Sequence, residues 1–192
     1  MKNKVTSVYM VGVGGQGIIR ASDILCEAVM RSGLDVKKSE VHGMAQRGGS
    51  VTSHVRFGEK VYSPLAPKGG VDILMAFERL EVLRYLDYIK PEGRVIMSEL
   101  ELYPPAVNLG IAPYPEKVAE TVRKRVSDVK EVNATQMAID AGNIKAENTV
   151  LLGVLSTYLG MDVKIWDEVL REAFPPKVLD ANLKAFAAGR AA

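Results

Sequence analysis

Apolar residues follow two rhythms along this chain. Up to about residue 145, short solidly apolar runs alternate with helical stripes; from Glu147 onward only helical stripes remain. Val5 to Val11, with Tyr9 and Met10 inside it, is the kind of unbroken run a parallel strand needs when helices cover both its faces. Ile18, Ala21, Leu25 and Ala28 then recur at helical spacing, and Gly33 sits where a C-terminal cap belongs. Asp35 to Val41 reads as a second short strand. Val51, Ser53, Val55 and Phe57 alternate with Thr52, His54 and Arg56, which predicts a strand with one buried face. Gly58-Glu59-Lys60 then turns into Val61-Tyr62, an antiparallel hairpin grafted onto the core, before a Pro- and Gly-rich loop from Pro64 to Gly70.

The alternation continues with a buried strand at Asp72 to Phe77 and a helix at Glu78 to Tyr88. Pro91-Glu92-Gly93 reads as a turn into the strand Arg94 to Ser98, and Ile111 as a short strand after the loop opened by Tyr103-Pro104-Pro105. Pro115 starts a helix carrying Val118, Val122 and Val126, followed by a strand at Asp128 to Val132 and a short helix at Thr135 to Ala141. Three stripes close the chain: Val150, Leu151, Val154, Leu155, Tyr158 and Leu159; then Trp166, Val169, Leu170 and Phe174; then Leu179, Leu183 and Phe186. Pro175-Pro176 separates the last two. This order predicts a three-layer α/β/α, Rossmann-like fold with a mostly parallel sheet, an inserted β-hairpin and C-terminal helices. It is expected to form one domain over 1–192, with an α/β core at 1–145 and a helical extension packed on it at 146–192.

Composition narrows the chemistry. The chain has 192 residues, 47% of them hydrophobic and 25% charged, with a net charge of +2. That is ordinary for a soluble domain and gives no reason to expect a nucleic-acid or membrane surface. No apolar run approaches the roughly 20 residues of a membrane helix, and Met1-Lys-Asn-Lys leads into a strand rather than a signal peptide, so a cytoplasmic location is expected. Cys26 is the one cysteine, and His42 and His54 are the two histidines. A single cysteine holds neither a disulfide nor an iron–sulfur cluster, and no metal-ligand spacing occurs, so no metal site is expected in this chain.

Two stretches carry candidate chemistry. Gly12, Gly14, Gly15 and Gly17, with Gln16 among them, stand between a strand and a helix. The unpaired N–H groups and dipole of that helix start favour a phosphate or carboxylate, and glycine lets the backbone come close to it. The G-x-G-x-x-G spacing also admits a dinucleotide reading, with Glu40 on the ribose and a proton donor from His42, His54, the lysines or the tyrosines; it equally admits a purely structural turn. The second stretch is His42-Gly-Met44-Ala-Gln46-Arg47-Gly48-Gly49-Ser50. Arg47 is a planar fork suited to a carboxylate or phosphate, His42 is of the one residue type whose ordinary charge change falls near neutrality, and Gln46 both donates and accepts. Both stretches leave strands at the carboxyl edge of a parallel sheet, which places the two loops beside each other.

Together, Gly12-Val-Gly-Gly-Gln-Gly17 and His42–Ser50 resemble the gamma-type subunit of the 2-oxoacid:ferredoxin oxidoreductases. The second string is most similar to the beta subunit of indolepyruvate:ferredoxin oxidoreductase. Asp72-Ile-Leu-Met-Ala, Asn148-Thr149 with Leu152-Gly153, and Phe186-Ala-Ala-Gly189 extend the resemblance over nearly the whole chain. It implies a subunit of an anaerobic enzyme that decarboxylates a 2-oxoacid, with an arylpyruvate suggested by His42–Ser50, and forms acyl-coenzyme A and CO2. Thiamine diphosphate, Mg2+ and [4Fe–4S] clusters are then expected on a larger partner chain, with coenzyme A as co-substrate and ferredoxin as acceptor. No catalytic residue is assigned in this chain, which is expected to be inactive alone and to dimerise when isolated. The glycine stretch would meet an anionic part of thiamine diphosphate, coenzyme A or substrate; residues 42–50 would contact substrate or the partner. A free-standing NAD(P)-binding protein and a non-catalytic interaction module are the rival readings.

Overall fold

The computed structural model describes residues 5–42 and 49–192, His42 by its backbone alone. Strand β1 (Thr6–Val13) lies inside a six-stranded sheet of order β2-β3-β1-β4-β5-β6. On one side of it β4 (Val71–Ala76), β5 (Ile89–Ser98) and β6 (Asp128–Val132) run parallel to it in succession. On the other side β3 (Ser50–Gly58) runs antiparallel to β1, and β2 (Asp35–His42) antiparallel to β3.

Helices cover both faces, and the alternation of β1 shows why a solid apolar run was needed. Val8 and Met10 belong to a core with α1 (Ile18–Arg31), α5 (Ala134–Asp140), α6 (Glu147–Ser156), α7 (Val163–Ala173) and α8 (Pro176–Ala191). Tyr9 and Val11 belong to a second core with α2 (Glu81–Tyr85) and α4 (Val118–Arg125). A short helix α3 (Pro105–Asn108) lies in the connection between β5 and α4. The result is three layers, with each buried Val, Leu or Met side chain contributing about 1.5–3 kcal/mol. The end of α1 follows the sequence reading: Gly33 N–H bonds to Met30 O and Leu34 N–H to Val29 O, the paired bonds of a glycine C-cap.

Several expectations need correction. The strand at Val51–Phe57 does not hairpin with Val61-Tyr62; its partners are β2 and β1, each over eight residues. Its polar side is covered as well, with Thr52 and His54 both buried. Pro91-Glu92-Gly93 makes no turn. It lies within β5, where pairing jumps from Val71–Ile89 to Ile73–Arg94, and a proline that cannot donate is tolerated at such a bulge. The helix expected at Glu78–Tyr88 is confined to α2 with a 3-10 turn at Leu86–Tyr88, and Ile111 is in no strand.

Candidate functional site

The strand ends Val13, Ala76, Ser98 and Val132 share the carboxyl edge of the parallel strands, and the glycine stretch leaves β1 there. Gln16 folds back into its own turn. Its Oε1 accepts the Val13 N–H at 2.7 Å and its Nε2 donates to Phe77 O at 2.8 Å, tying the end of β1 to the end of β4. A side chain on Gly12 would meet that amide at 2.7 Å. Gln16 is thus a brace of the turn, held at both ends of its amide by backbone groups.

Gly17 is the N-cap of α1, in left-handed conformation with φ 75°. Its carbonyl accepts the first intrahelical bond, from Ala21 N–H at 2.9 Å. The N–H groups of Ile18, Ile19 and Arg20 find no acceptor among the described residues, and no acidic side chain occupies this first turn. A cavity of about 510 Å³ opens over them, lined by Gly14, Gly15, Ile19 and Arg20. A second, of about 410 Å³, lies on the other flank of the turn between Gly15, Gly17, Lys145 and Asn148. Each cavity has one cation and one carboxylate on its wall, Arg20 with Asp23 in the first and Lys145 with Glu147 in the second, so it is the three open backbone donors between them that suit an anion.

The second motif reaches this turn through its last two residues. Gly14 N–H donates to Gly49 O at 2.9 Å, so the start of β3 rather than the end of β2 is the neighbour of the glycine turn. Met44, Gln46, Arg47 and Gly48 lie outside the described residues, as does the side chain of His42. Ser50 Oγ donates to Glu81 Oε2 at 2.6 Å and lies 2.9 Å from Tyr85 Oη.

That contact leads to a group of side chains the sequence reading passed over. Glu78, at the end of β4, is only 1% exposed, and both its oxygens are used. Oε2 accepts Glu81 N–H at 2.9 Å, and Oε1 accepts Leu102 N–H at 3.1 Å and the Tyr114 hydroxyl at 3.2 Å. Burial pushes the Glu78 carboxyl above the usual range, and burial followed by the Glu78 charge does the same to Tyr114. Glu81 accepts Arg84 Nε at 2.8 Å. Ser50, Glu78, Glu81 and Arg84 line a third cavity, of about 500 Å³, with Leu102, Tyr103 and Pro104 also on its wall. The position of Glu78 immediately past a buried parallel strand was the available signal.

The dinucleotide reading fares poorly on geometry. Glu40 lies opposite Ser53 of β3 and 2.5 Å from Lys38 Nζ. With β3 standing between, Glu40 is two strand spacings from β1, about 10 Å. His54 is no proton donor for that edge either: it is stacked on Tyr9 with ring centroids 3.8 Å apart. Burial, and then the Arg56 charge, push its pKa down to about 4. Among the described residues no group of three or more His, Cys, Asp or Glu side chains is placed to hold a metal ion, and no helix is long and apolar enough to cross a membrane.

Residues 7–192 match the family described as pyruvate ferredoxin/flavodoxin oxidoreductase. The chain is 43% identical over 187 residues to indolepyruvate oxidoreductase subunit IorB of Archaeoglobus fulgidus, covering 95% of this chain and 92% of that one. It is 39% identical over 193 residues to the subunit of the same name in Thermococcus kodakarensis, covering 97% and 95%. Among solved structures it superposes, with a TM-score of 0.78 and 26% identity, on the 2-oxoglutarate:ferredoxin oxidoreductase of Magnetococcus marinus with 2-oxoglutarate, coenzyme A and succinyl-CoA bound. The match takes in 99% of this chain but only 31% of that one.

Proposed function

The chain belongs to the pyruvate ferredoxin/flavodoxin oxidoreductase family, and from that premise we propose that it is the smaller subunit of a thiamine diphosphate-dependent 2-oxoacid:ferredoxin oxidoreductase acting on indolepyruvate and related arylpyruvates. The observation that carries this reading is the near full-length similarity to IorB subunits. In this reading the larger subunit holds thiamine diphosphate, Mg2+ and the [4Fe–4S] clusters, which supply the electron sink and the path to ferredoxin. With one cysteine this chain has no ligand set for a cluster.

Its own contribution is binding. The open N–H groups of Ile18, Ile19 and Arg20 face the charge of an anionic co-substrate, and coenzyme A, with its phosphates, has the matching chemistry. Arg20 and Lys145 offer one cation in each flanking cavity, each with a carboxylate, Asp23 or Glu147, on the same wall. Gly49 and Ser50 brace the turn and the Glu81 cleft beside it; a role of His42, Met44, Gln46, Arg47 and Gly48 in contacting substrate or the larger subunit is proposed from their residue types alone. We place the whole assembly in the cytoplasm and treat 1–192 as one domain that dimerises when its partner is missing.

Anaerobic mixing of this chain with its larger partner tests the proposal. Coenzyme A-dependent reduction of ferredoxin should appear, with kcat/KM higher for indolepyruvate than for pyruvate or 2-oxoglutarate. Higher kcat/KM for either of the latter two would overturn the substrate assignment. A nicotinamide-dependent oxidation by the lone chain would overturn the subunit reading.

A further inference from the structure

Asn148, in the first turn of α6, is 7% exposed, and its Nδ2 donates to Gly17 O at 3.3 Å. It lies directly beneath the glycine: a Cβ on Gly17 would come within 2.4 Å of that nitrogen. Thr149 beside it is fully buried, with its hydroxyl 3.2 Å from Asn148 Oδ1 and 2.7 Å from Asn182 Oδ1 on α8. Asn182 Nδ2 in turn donates to Val178 O at 2.8 Å. A chain of polar contacts thus runs from α8 through α6 to the last residue of the glycine turn, inside a helical layer whose core is mostly apolar. Buried amides are costly unless bonded, and a satisfied network holds its members in one arrangement.

The Gly17 carbonyl and the Ile18 N–H belong to one rigid trans peptide unit and point in opposite directions. The oxygen, already bonded by the Ala21 N–H inside α1, is held a second time from the side of α6, and this second bond trims the aim of the first open donor on the other side. We infer that Asn148 is a positioning residue: acting through the Gly17–Ile18 peptide, it sets the direction of the α1 N–H groups that receive the anion. The C-terminal helices then form part of the binding device, linked to it by Thr149 and Asn182. This inference rests on the reading of the glycine turn as the coenzyme A anion site.

The test uses the enzyme assembled from both subunits. Asn148→Leu keeps the approximate shape, removes the donor and adds no charge. It should raise the KM for coenzyme A about tenfold, together with its Kd by calorimetry. The kcat at saturating coenzyme A, the KM for the 2-oxoacid and the melting temperature of the chain should stay put. A fall in melting temperature with kcat and both KM values worsened together would make Asn148 structural only and overturn the inference, as would an unchanged KM for coenzyme A. If that variant does not fold, Thr149→Val, one step further back, should give a rise of about threefold in the same KM alone; no rise overturns the inference. Arg20→Glu separates the two levels. It alters an exposed side chain at the same turn and should weaken coenzyme A binding by charge. Unchanged affinity in Arg20→Glu would remove the anion reading itself and the positioning role with it.

Discussion

His54 shows how far one side chain's behaviour depends on residues remote in sequence. It is 6% exposed, stacked on Tyr9 and edged by Tyr88 at 6.0 Å, and its Nδ1 has no hydrogen-bond partner among the described residues. Protonation would bury a charge near Arg56, so its pKa falls from 6.5 to about 4 on folding. Between those values the unfolded chain binds more protons than the folded one. Its contribution is therefore complete above pH 6.5 and lost as pH falls through 4, with about 3 kcal/mol at stake. His54→Phe retains the stack and abolishes the titration. Urea unfolding should show a flatter stability curve between pH 6.5 and 4, and equal or greater stability at pH 7. An unchanged acid slope would assign the effect to other groups. Sequence alternation alone put His54 on an open face, because Tyr9 and Tyr88 lie far away along the chain. The same blindness hid Glu78 and Glu81, whose partners come from Ser50, Leu102 and Tyr114. The glycine turn was legible because its reasons are local: a strand ends, a helix begins, and Gly17 must adopt positive φ.

Among the elements, α6 departs most from its sequence pattern. Its stripe of Val150, Leu151, Val154 and Leu155 suggests one apolar face, yet every residue from Asn148 to Ser156 is buried. The reason lies in α8, whose buried positions are Asn182, Ala185, Phe186 and Gly189; of the expected stripe Phe186 is buried, Leu183 packs at the margin of the core and Leu179 is only half-buried. Small residues let the two backbones touch. A Cβ on Gly189 would sit 2.0 Å from Val150 O, and one on Gly153 2.2 Å from Phe186 O. Arg190 Nη1 bonds Ser156 Oγ at 2.7 Å across the same crossing. An alanine in an exposed helix gains about 1 kcal/mol over glycine, but here the new methyl meets backbone that cannot swing aside. Gly189→Ala should therefore lose about 1–3 kcal/mol net in urea unfolding. Equal or higher stability would mean the helices part at no cost. Helix periods marked the longer helices, though not α3 or the true extent of α2, and the strand runs told which strands were central. They could not tell that β3 enters the sheet between β1 and β2, because alternation fixes a strand's faces but not its neighbours.

At the scale of the whole molecule, the match with the Magnetococcus marinus enzyme carries a quantitative consequence. There the equivalent of this chain occupies 31% of one longer polypeptide, whereas the IorB subunits it matches are of nearly its own length. A covalently joined domain stays at high effective concentration whatever the dilution; a separate subunit is subject to mass action. In the proposed assembly this chain brings backbone donors and flanking cations to the anion, while the larger chain brings the redox groups. Neither half alone completes the reaction. The lone chain should be colourless, free of iron, and inactive toward 2-oxoacids with added thiamine diphosphate and a dye acceptor. The larger chain should keep its iron and lose coenzyme A-dependent turnover. Serial dilution of the mixed enzyme should then lower specific activity once protein concentration falls below the Kd of the pair. Excess of this chain should restore it, and a fusion of the two chains through a flexible linker should be immune to dilution. Specific activity that stays constant in the unfused enzyme down to picomolar protein would put the Kd beyond the reach of an ordinary subunit interface and require a tighter connection between the chains.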